Sequence, residues 1–273
     1  MSKPKFSIIV VYYNAGNKPG FLDLVVWGLS RQTFKDFELI FIDNNSPIPL
    51  LLRNQDKVAA KVYRMEYNYG QCTARNTGAE LACGDRIIFN DGDFVYSKNF
   101  LETHAKSKSD IFITLFSGMD LERRLIVPKN KVKEKVILYE EHKIKVCSVL
   151  MQHPQTNHFL NTIPCGASFD RKVFLETKYD LEFDYGFSKP GKGWEDVEIG
   201  IRLYKDERSF DGSTEAFTVH IAHPPFFAGK VLSVTEEHRK GKINWEKVEK
   251  KHPDFRQLTG SWYDKTRELL YSF

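Results

Sequence analysis

The apolar run near the start of the chain constrains its fold more than any other feature. Residues 6–12 read Phe-Ser-Ile-Ile-Val-Val-Tyr, and a nearly continuous β-branched run of this kind is typical of a strand buried on both faces of a sheet. Apolar residues at helical spacing follow over 21–32, and a second strand-like run occupies 37–42. Because strands that alternate with helices form parallel sheets through right-handed crossovers, the first hundred residues predict an α/β half of the kind that binds nucleotides.

Further elements follow along the chain, and the second half is less regular than the first. A charged segment, 128–145, fits an exposed helix, a hairpin or an insertion. From residue 236 onward, dense Lys and Glu with spaced aromatic residues predict amphipathic helices that pack back on the domain. The other expected elements are helices near 50–55 and over 70–82, and strands near 62–66 and over 86–89, 111–116 and 218–221.

The composition limits the class of protein without choosing one. A chain of 273 residues with 41% hydrophobic residues can build one large domain or two closely joined lobes. The formal charge of +4 is mild, so it does not by itself indicate a nucleic-acid partner, although it suits an anionic substrate. The four cysteines form no CxxC pair, so neither a zinc site nor a disulfide framework is expected. With no signal-peptide pattern and no long apolar run, we expect a soluble cytoplasmic protein, which leaves peripheral membrane contact open.

Asp91 and Asp93 lie one residue apart, directly after the strand predicted over 86–89. In open α/β sheets, ligands bind at the carboxyl ends of the strands. Carboxylates at such a position can hold Mg²⁺ or Mn²⁺, and these ions often bind substrate phosphates. The same tripeptide is also ordinary turn chemistry. Alone, it indicates either a metal–diphosphate site or a tight turn.

Two more polar residues follow predicted strands or begin predicted helices. Asp43 follows the second strand, where a carboxylate can accept a hydrogen bond from a base or a ribose hydroxyl, or can form an Asx turn. Arg75 lies in the first turns of the helix predicted over 70–82, whose N-terminus favours anions. We expect Arg75 to reach a phosphate or to brace the Asp91–Asp93 turn, the alternative being an exposed surface arginine.

A second chemical signal is Trp194-Glu195-Asp196, which follows a Gly-Lys-Gly loop and begins a predicted helix. The indole offers a plane on which a sugar ring can stack, and a carboxylate can act as general base for an acceptor hydroxyl. Acidic residues also favour helix N-termini without any catalytic role. His220 and His223 end a predicted strand, and imidazole beside two carboxylates suits Mn²⁺ better than Mg²⁺.

In combination, these stretches resemble the motifs of family 2 glycosyltransferases with the GT-A fold. Each motif is modest alone, but five in this order are highly specific, and the resemblance covers residues 6–104 and 164–225. Residues 220–225 are similar to the histidine region of chondroitin-type polymerases and related galactosyl- and N-acetylgalactosaminyltransferases. The five stretches are 6–14, 31–43, 68–78, Asp91-Gly92-Asp93 as the DXD motif, and Trp194-Glu195-Asp196 as the later Trp-Glu-Asp element.

The resemblance implies a mostly parallel central sheet flanked by helices, in one GT-A domain over 1–273. Residues 1–104 would form the nucleotide-sugar-binding half, 105–235 the acceptor-binding and catalytic half, and 236–273 a helical C-terminal extension. Residues 128–145 and 157–166 are candidate acceptor-side loops. The expected reaction is an inverting transfer from a nucleotide sugar, with a UDP-sugar favoured, to a glycan or another hydroxyl-bearing acceptor.

The resemblance also implies a role for each site residue. Asp196 would be the catalytic base, and Glu195 and Trp194 would bind the acceptor. Asp91 and Asp93 would hold Mn²⁺ or Mg²⁺, with Mn²⁺ favoured, on the donor diphosphate, and His220 or His223 would complete the metal shell. The implied donor-binding residues are Tyr12, Asn14, Asp43, Arg75 and Asp91.

The chain departs from the family pattern at several positions. Asn44-Asn45-Ser46-Pro47 replaces the usual acidic turn, Asn90 replaces an apolar residue, and Phe94 replaces a frequent third acidic residue. Three rival functions stay open. A glycosyltransferase acting on modified nucleic-acid bases would need a basic groove. A nucleotidyltransferase is disfavoured by Trp194-Glu195-Asp196, and the third rival is a non-catalytic sugar-nucleotide-binding protein.

Overall fold

The computed structural model describes residues 3–13, 20–50, 58–117, 127–141, 164–184, 191–223, 226–227, 230–231, 233–260, 263–264, 267–268 and 271. Several predictions fall outside these ranges. They concern Asn14, residues 51–55 of the expected short helix, and residues 142–145 and 157–163 of the acceptor-side segments.

Four parallel strands form the first half of the central sheet, in the order β3-β2-β1-β4. Helix α1 connects β1 to β2, and helix α2 connects β3 to β4, as the alternating pattern predicted. The elements are β1 (Phe6–Tyr12), α1 (Phe21–Ser30), β2 (Phe37–Asp43), β3 (Ala60–Arg64), α2 (Gln71–Leu81) and β4 (Arg86–Asn90).

The second half adds strands that run in both directions. The full order is β3-β2-β1-β4-β7-β6-β8-β5. Strand β7 is antiparallel to both β4 and β6, and β5 is antiparallel to β8, whereas β6 and β8 run in the same direction as β4. The added strands are β5 (Phe94–Tyr96), β6 (Ile111–Ser117), β7 (Ala167–Asp170) and β8 (Phe210–His220).

Six more α-helices, short 3-10 turns and a small hairpin complete the part of the chain that the structure describes. Among the described residues, no helix is long and apolar enough to cross a membrane. The helices are α3 (Phe100–Ala105), α4 (Val132–Glu141), α5 (Arg171–Thr177), α6 (Glu195–Lys205), α7 (Val234–Lys251) and α8 (Phe255–Thr259), and the hairpin pairs β9 (Phe226–Phe227) with β10 (Lys230–Val231).

Strand β1 separates two hydrophobic clusters, which explains its continuous apolar sequence. Ile9 and Val11 point into a cluster that includes side chains of α2, α5, α6 and α7. Ile8 and Val10 point to the opposite face, where α1 and α3 pack. Since successive side chains of a strand alternate between faces, a strand covered on both sides must be apolar throughout.

The two charged segments both form helices with a buried stripe. In the segment 128–145, a 3-10 turn over Lys129–Lys131 leads into α4. The segment is therefore a helix, which was one of the three expected alternatives, but it is not the exposed helix expected, because Val132, Val136 and Tyr139 are buried in one cluster with residues of α1. Helix α7 buries Trp245 in the same cluster that packs α6, which places the late basic helix beside the candidate site.

Candidate active site

The candidate site lies at the edge of the sheet where the carboxyl ends of β1, β2, β4 and β8 come together. The turn after β4 leads directly into β5, and β5 pairs with β8 so that Phe94 lies opposite His220. This register brings Asp93 within hydrogen-bonding distance of His223, although the two residues are 130 positions apart in the sequence.

The Asp91–Asp93 turn is braced from within by Asn90. The Nδ2 of this buried side chain donates to the carbonyl of Phe94 at 2.9 Å, and its Oδ1 accepts from the N–H of Gly92 at 2.8 Å. Gly92 has a φ of 76°, in the left-handed region that favours glycine. The departure from the family pattern at Asn90 therefore has a structural role, since this side chain stabilises the turn. The two alternatives for Asp91-Gly92-Asp93, a tight turn and a polar site, are compatible with each other.

Asp93, His220 and His223 form a cluster that could hold a metal ion. Each offers one ligand atom, and these atoms lie within 4.8 Å of one another. The Oδ2 of Asp93 is 3.0 Å from Nε2 of His223 and 3.7 Å from Nε2 of His220. Phe94 stacks on the His220 ring with centroids 4.6 Å apart. Two imidazoles and one carboxylate fit Mn²⁺ better than Mg²⁺, which prefers oxygen ligands.

The structure brings both predicted histidines to Asp93 but places the Asp91 carboxylate elsewhere. Both oxygens of Asp91 accept from Nη2 of Arg75, at 2.9 and 3.0 Å. Nη1 of the same guanidinium donates to Oε1 of Glu195 at 3.1 Å, and Arg75 is only 1% exposed. Of the two roles expected for Arg75, the structure shows the brace. Direct metal ligation and donor binding by Asp91 stay predictions.

The N-terminus of α2 was predicted to favour an anion, and in the structure it binds a carboxylate of the protein itself. Asp184 accepts hydrogen bonds from the backbone N–H groups of Cys72 and Thr73, and Thr73 also donates its hydroxyl. Gly70 makes room for this carboxylate, since a Cβ there would lie 2.5 Å from an Asp184 oxygen. Sequence reasoning missed Asp184, because it lies 112 residues away with no local motif.

The predicted acidic helix begins at Glu195, with Asp196 in its first turn. Oε1 of Glu195 is bound to Arg75, while its buried Oε2 has no hydrogen-bond partner among the residues that the structure describes. Burial raises the pKa of Glu195, and Arg75 opposes that rise. Burial likewise raises the pKa of Asp196, whose side chain stays partly exposed. A carboxylate with a raised pKa is a stronger proton acceptor, as a general base requires.

Trp194, the third residue of that motif, is partly buried. Its ring packs edge-to-face against Trp245 of α7, with centroids 4.9 Å apart. One surface of the indole is therefore used in packing the C-terminal helix. The expected stacking of Trp194 on a sugar stays a prediction.

The carboxylate of Asp43 binds its own loop, three residues further on, and also binds an arginine. Its buried carboxylate accepts from the N–H of Ser46 at 2.8 Å and from Nη1 of Arg64 at 2.6 Å. Tyr12 lies opposite Asp43 in the β1–β2 register, and burial, followed by the charge of Asp43, raises the pKa of its phenol. The structure thus places both residues at the same sheet edge as the metal-ligand cluster, and their donor-binding roles stay predictions.

The fold is of the GT-A type. The sequence model described as glycosyl transferase family 2 matches residues 7–176, which is more than half of the chain, and the chain belongs to this family.

The relatives are distant in sequence. The chain is 26% identical over 206 residues to the uncharacterized glycosyltransferase YwdF of Bacillus subtilis, a match that covers 75% of this chain and 69% of the relative. It is 29% identical over 162 residues to an uncharacterized glycosyltransferase of Haemophilus influenzae, covering 56% of this chain and 64% of the relative. A cholesterol galactosyltransferase of Borreliella burgdorferi is 28% identical over 137 residues, covering 46% of this chain and 37% of the relative.

Two solved structures show the same fold. S. aureus TarS residues 1–349, crystallised with UDP-GlcNAc, has a TM-score of 0.60 at 16% identity, covering 86% of this chain and 64% of that one. GalNAc-T7, crystallised with UDP, GalNAc and Mn²⁺, has a TM-score of 0.57 at 17% identity, covering 97% of this chain and 58% of that one. The chain thus spans less than two thirds of either structure, and both likenesses bear on the fold alone.

Proposed function

We propose that this protein is an inverting, metal-dependent glycosyltransferase that moves a sugar from a UDP-sugar to a hydroxyl of a glycan or similar acceptor. The observation that carries the proposal is that two groups of polar residues meet at the Asp91–Asp93 turn. Asp93 of this turn faces His220 and His223, and Asp91 of the same turn is joined through Arg75 to Glu195.

The donor diphosphate is assigned to the cluster of Asp93, His220 and His223, which would hold a divalent cation. Such a cation, when bound, stabilises the negative charge that develops on the leaving diphosphate. Mn²⁺ is preferred because two of the three ligand atoms are imidazole nitrogens. The choice of UDP is supported by the ligands named for TarS and GalNAc-T7. Tyr12 and Asp43 lie at the neighbouring strand ends and are assigned to the nucleoside.

The acceptor hydroxyl is assigned to Asp196. Its carboxylate takes the hydroxyl proton as the acceptor oxygen forms a bond to the anomeric carbon. The bond from that carbon to the donor oxygen breaks on the opposite face, and its electron pair leaves with the diphosphate. One displacement inverts the anomeric configuration. Glu195, held by Arg75 next to Asp196, is assigned to binding the acceptor, together with Trp194.

A thermal-shift experiment tests the donor and the metal together. We expect UDP and UDP-sugars to raise the unfolding temperature by about 5 °C or more when Mn²⁺ is present, because a saturating ligand stabilises the folded state by mass action. The shift should disappear with EDTA and be smaller with Mg²⁺ than with Mn²⁺. A larger shift with GDP-sugars than with UDP-sugars would overturn the donor assignment. A shift of the same size in the presence of EDTA would overturn the metal requirement.

The inverting outcome needs a separate measurement. Once a donor is found, the anomeric configuration of the product is read from the proton NMR coupling constant of its new linkage. Inversion relative to the donor is the expected result. Retention would exclude a single displacement and remove the role given to Asp196.

A further inference from the structure

The loop over residues 191–194, which leads into α6, has a strained backbone that other parts of the chain must stabilise. Gly193 and Trp194 are consecutive residues in the left-handed region, with φ angles of 73° and 71°. For a bulky residue other than glycine, this conformation is an outlier that costs of the order of 1–2 kcal/mol. In addition, a tryptophan has no side-chain oxygen with which to cap the helix that follows. The backbone directly before the acidic first turn of α6 is therefore strained.

Helix α7 holds this loop through one of its faces. The Nδ2 of Asn244 donates to the carbonyl of Gly193 at 2.8 Å. The carbonyl of Lys240 accepts from the backbone N–H of Lys192 at 3.1 Å. Because Lys240 and Asn244 are four residues apart in a helix, they lie on the same face. The two hydrogen bonds therefore fix adjacent residues of the loop to a single rigid element.

The contact between Asn244 and the loop is also closely matched in shape. Asn244 is fully buried, and a Cβ added to Gly191 would lie 1.8 Å from its Oδ1 and 2.5 Å from its Cγ. Only glycine fits at position 191 while Asn244 occupies this place. Next to this contact, the rings of Trp194 and Trp245 meet edge-to-face.

We propose that Asn244 is a positioning residue for the transfer reaction. It acts through Gly193 to hold the left-handed backbone at Trp194, and so positions Glu195 and Asp196 of α6 in the candidate active site. The match to the family model ends at residue 176, before both the loop and α7, so this role belongs to the C-terminal part of this chain. The inference rests on the proposed function, because it assumes that Asp196 is the base.

The test uses an isosteric substitution, a truncation and a control on the same helix. Asn244→Asp keeps the size of the side chain but replaces the donor to Gly193 by an oxygen, and Asn244→Ala removes the group. Lys250→Ala changes an exposed residue of α7 and should behave as the wild type. Each protein is assayed for kcat, for donor KM, for the pH dependence of kcat and for its unfolding temperature.

We expect both Asn244 variants to lower kcat by about ten- to a hundredfold, because a small displacement of a catalytic group is enough to cost this much. Donor KM should change by less than about twofold, since the donor residues lie on other elements, and the pH profile of kcat should shift. An unchanged kcat would overturn the proposal. So would a loss of kcat that is matched by an equal loss of donor affinity and stability, because that pattern describes general damage to the fold.

The shape match provides a second test. Gly191→Ala should lower kcat, because its methyl group collides with Asn244. In the double variant Gly191→Ala/Asn244→Ala that collision is relieved, so we expect a kcat close to that of Asn244→Ala alone rather than the product of the two losses. Independent, multiplicative losses would show that residues 191 and 244 do not act through one contact, and would overturn the proposal.

Hydrogen exchange separates this inference from the proposed function, because it needs no substrate. In Asn244→Ala, the amides of residues 193–198 should exchange at least about tenfold faster than in the wild type, while those of β1 and β4 keep their protection. If the wild type transfers no sugar at all, the proposed function fails, whereas the exchange result still decides whether Asn244 holds the loop. Unchanged exchange over 193–198 would overturn the inference whatever the activity.

Discussion

The guanidinium of Arg75 joins two carboxylates that come from opposite halves of the chain. Its Nη1 lies 3.1 Å from Oε1 of Glu195, which comes 120 residues later in the sequence. Its Nη2 lies 2.9 and 3.0 Å from the two oxygens of Asp91. Arg75 is almost completely buried and also lies over the ring of Tyr179 at 5.1 Å. A single cation therefore sets the distance between the turn assigned to the donor and the helix assigned to the acceptor.

Arg75→Met should destabilise the fold strongly. Methionine fills much of the space but leaves the Asp91 and Glu195 carboxylates without their counter-charge, and breaking a buried ion pair costs about 3–5 kcal/mol. Urea unfolding gives the change in free energy. The control is Arg256→Met, whose ion pair with Asp264 is 69% and 54% exposed and should contribute no more than about 1 kcal/mol. Equal losses in both variants would contradict a special role for Arg75.

Asp93→Asn should abolish the metal-dependent part of donor binding. The amide keeps the shape of the side chain but loses the negative charge that faces His220 and His223. We expect the thermal shift produced by UDP to become independent of Mn²⁺. Asp254→Asn, at a surface ion pair with Lys205, is the matched control and should keep the shift. A Mn²⁺-dependent shift of wild-type size in Asp93→Asn would refute the assignment of the metal to this cluster.

Asp196→Asn should separate donor binding from transfer. Loss of a general base lowers the rate by about 10²–10⁴-fold, whereas the donor residues on β1, β2 and β4 are untouched, so the thermal shift with UDP-sugar and Mn²⁺ should persist. The rate is measured as UDP released in the presence of an acceptor. Asp206→Asn, at the exposed C-terminal end of the same helix, should turn over normally. Normal turnover of Asp196→Asn would place the base elsewhere.

Glu198 should make the stability of the protein depend on acid pH. Burial tends to raise the pKa of this carboxyl, but hydrogen bonds from His252, Arg202 and Lys251 outweigh that effect and lower the pKa from 4.5 to about 2. A group with a lowered folded-state pKa binds protons more readily in the unfolded chain. Its contribution is therefore complete above pH 4.5 and is lost as the pH falls toward 2.

The measurement compares the wild type with Glu198→Gln by urea unfolding at several pH values. Glu198→Gln should be the less stable protein at neutral pH, and the difference between the two should shrink by up to about 1.4 kcal/mol per pH unit as the pH falls through this window. A difference that stays constant from neutral to acid pH would show that Glu198 has the same pKa in the folded and unfolded states.

The sequence predicted the elements whose signal is local. The apolar runs of β1, β2 and β4 and the helical spacing in α2 and α6 are each contained within about a dozen residues, and the structure confirms them. The ordered motifs also predicted that Asp93, His220 and His223 belong to one site, and the structure brings these three residues together. Strands β5 and β7 were missed, because they are short and have no strong pattern of their own.

Contacts between distant segments could not be predicted in the same way. Asp184 at the start of α2 and Asn244 against Gly191 come from segments without a recognisable motif, and each contact depends on how helices pack across the sheet. The brace of the Asp91–Asp93 turn by Arg75 was one of the roles expected for this residue, whereas its link to Glu195 was not expected. Glu195 lies 120 residues later in the sequence, so no spacing within 70–82 could predict that it binds the same guanidinium.

The class of fold and the chemical groups of the site could be predicted from short segments, because hydrophobic periodicity and the order of polar motifs are local properties. Which of those groups come into contact depends on the packing of distant segments. Antiparallel β5 and β8 bring His220 to the Asp91–Asp93 turn, and α7 reaches the start of α6. Strand register and helix packing are fixed by side chains that are far apart in the sequence, and neither segment alone has a pattern that reveals the contact.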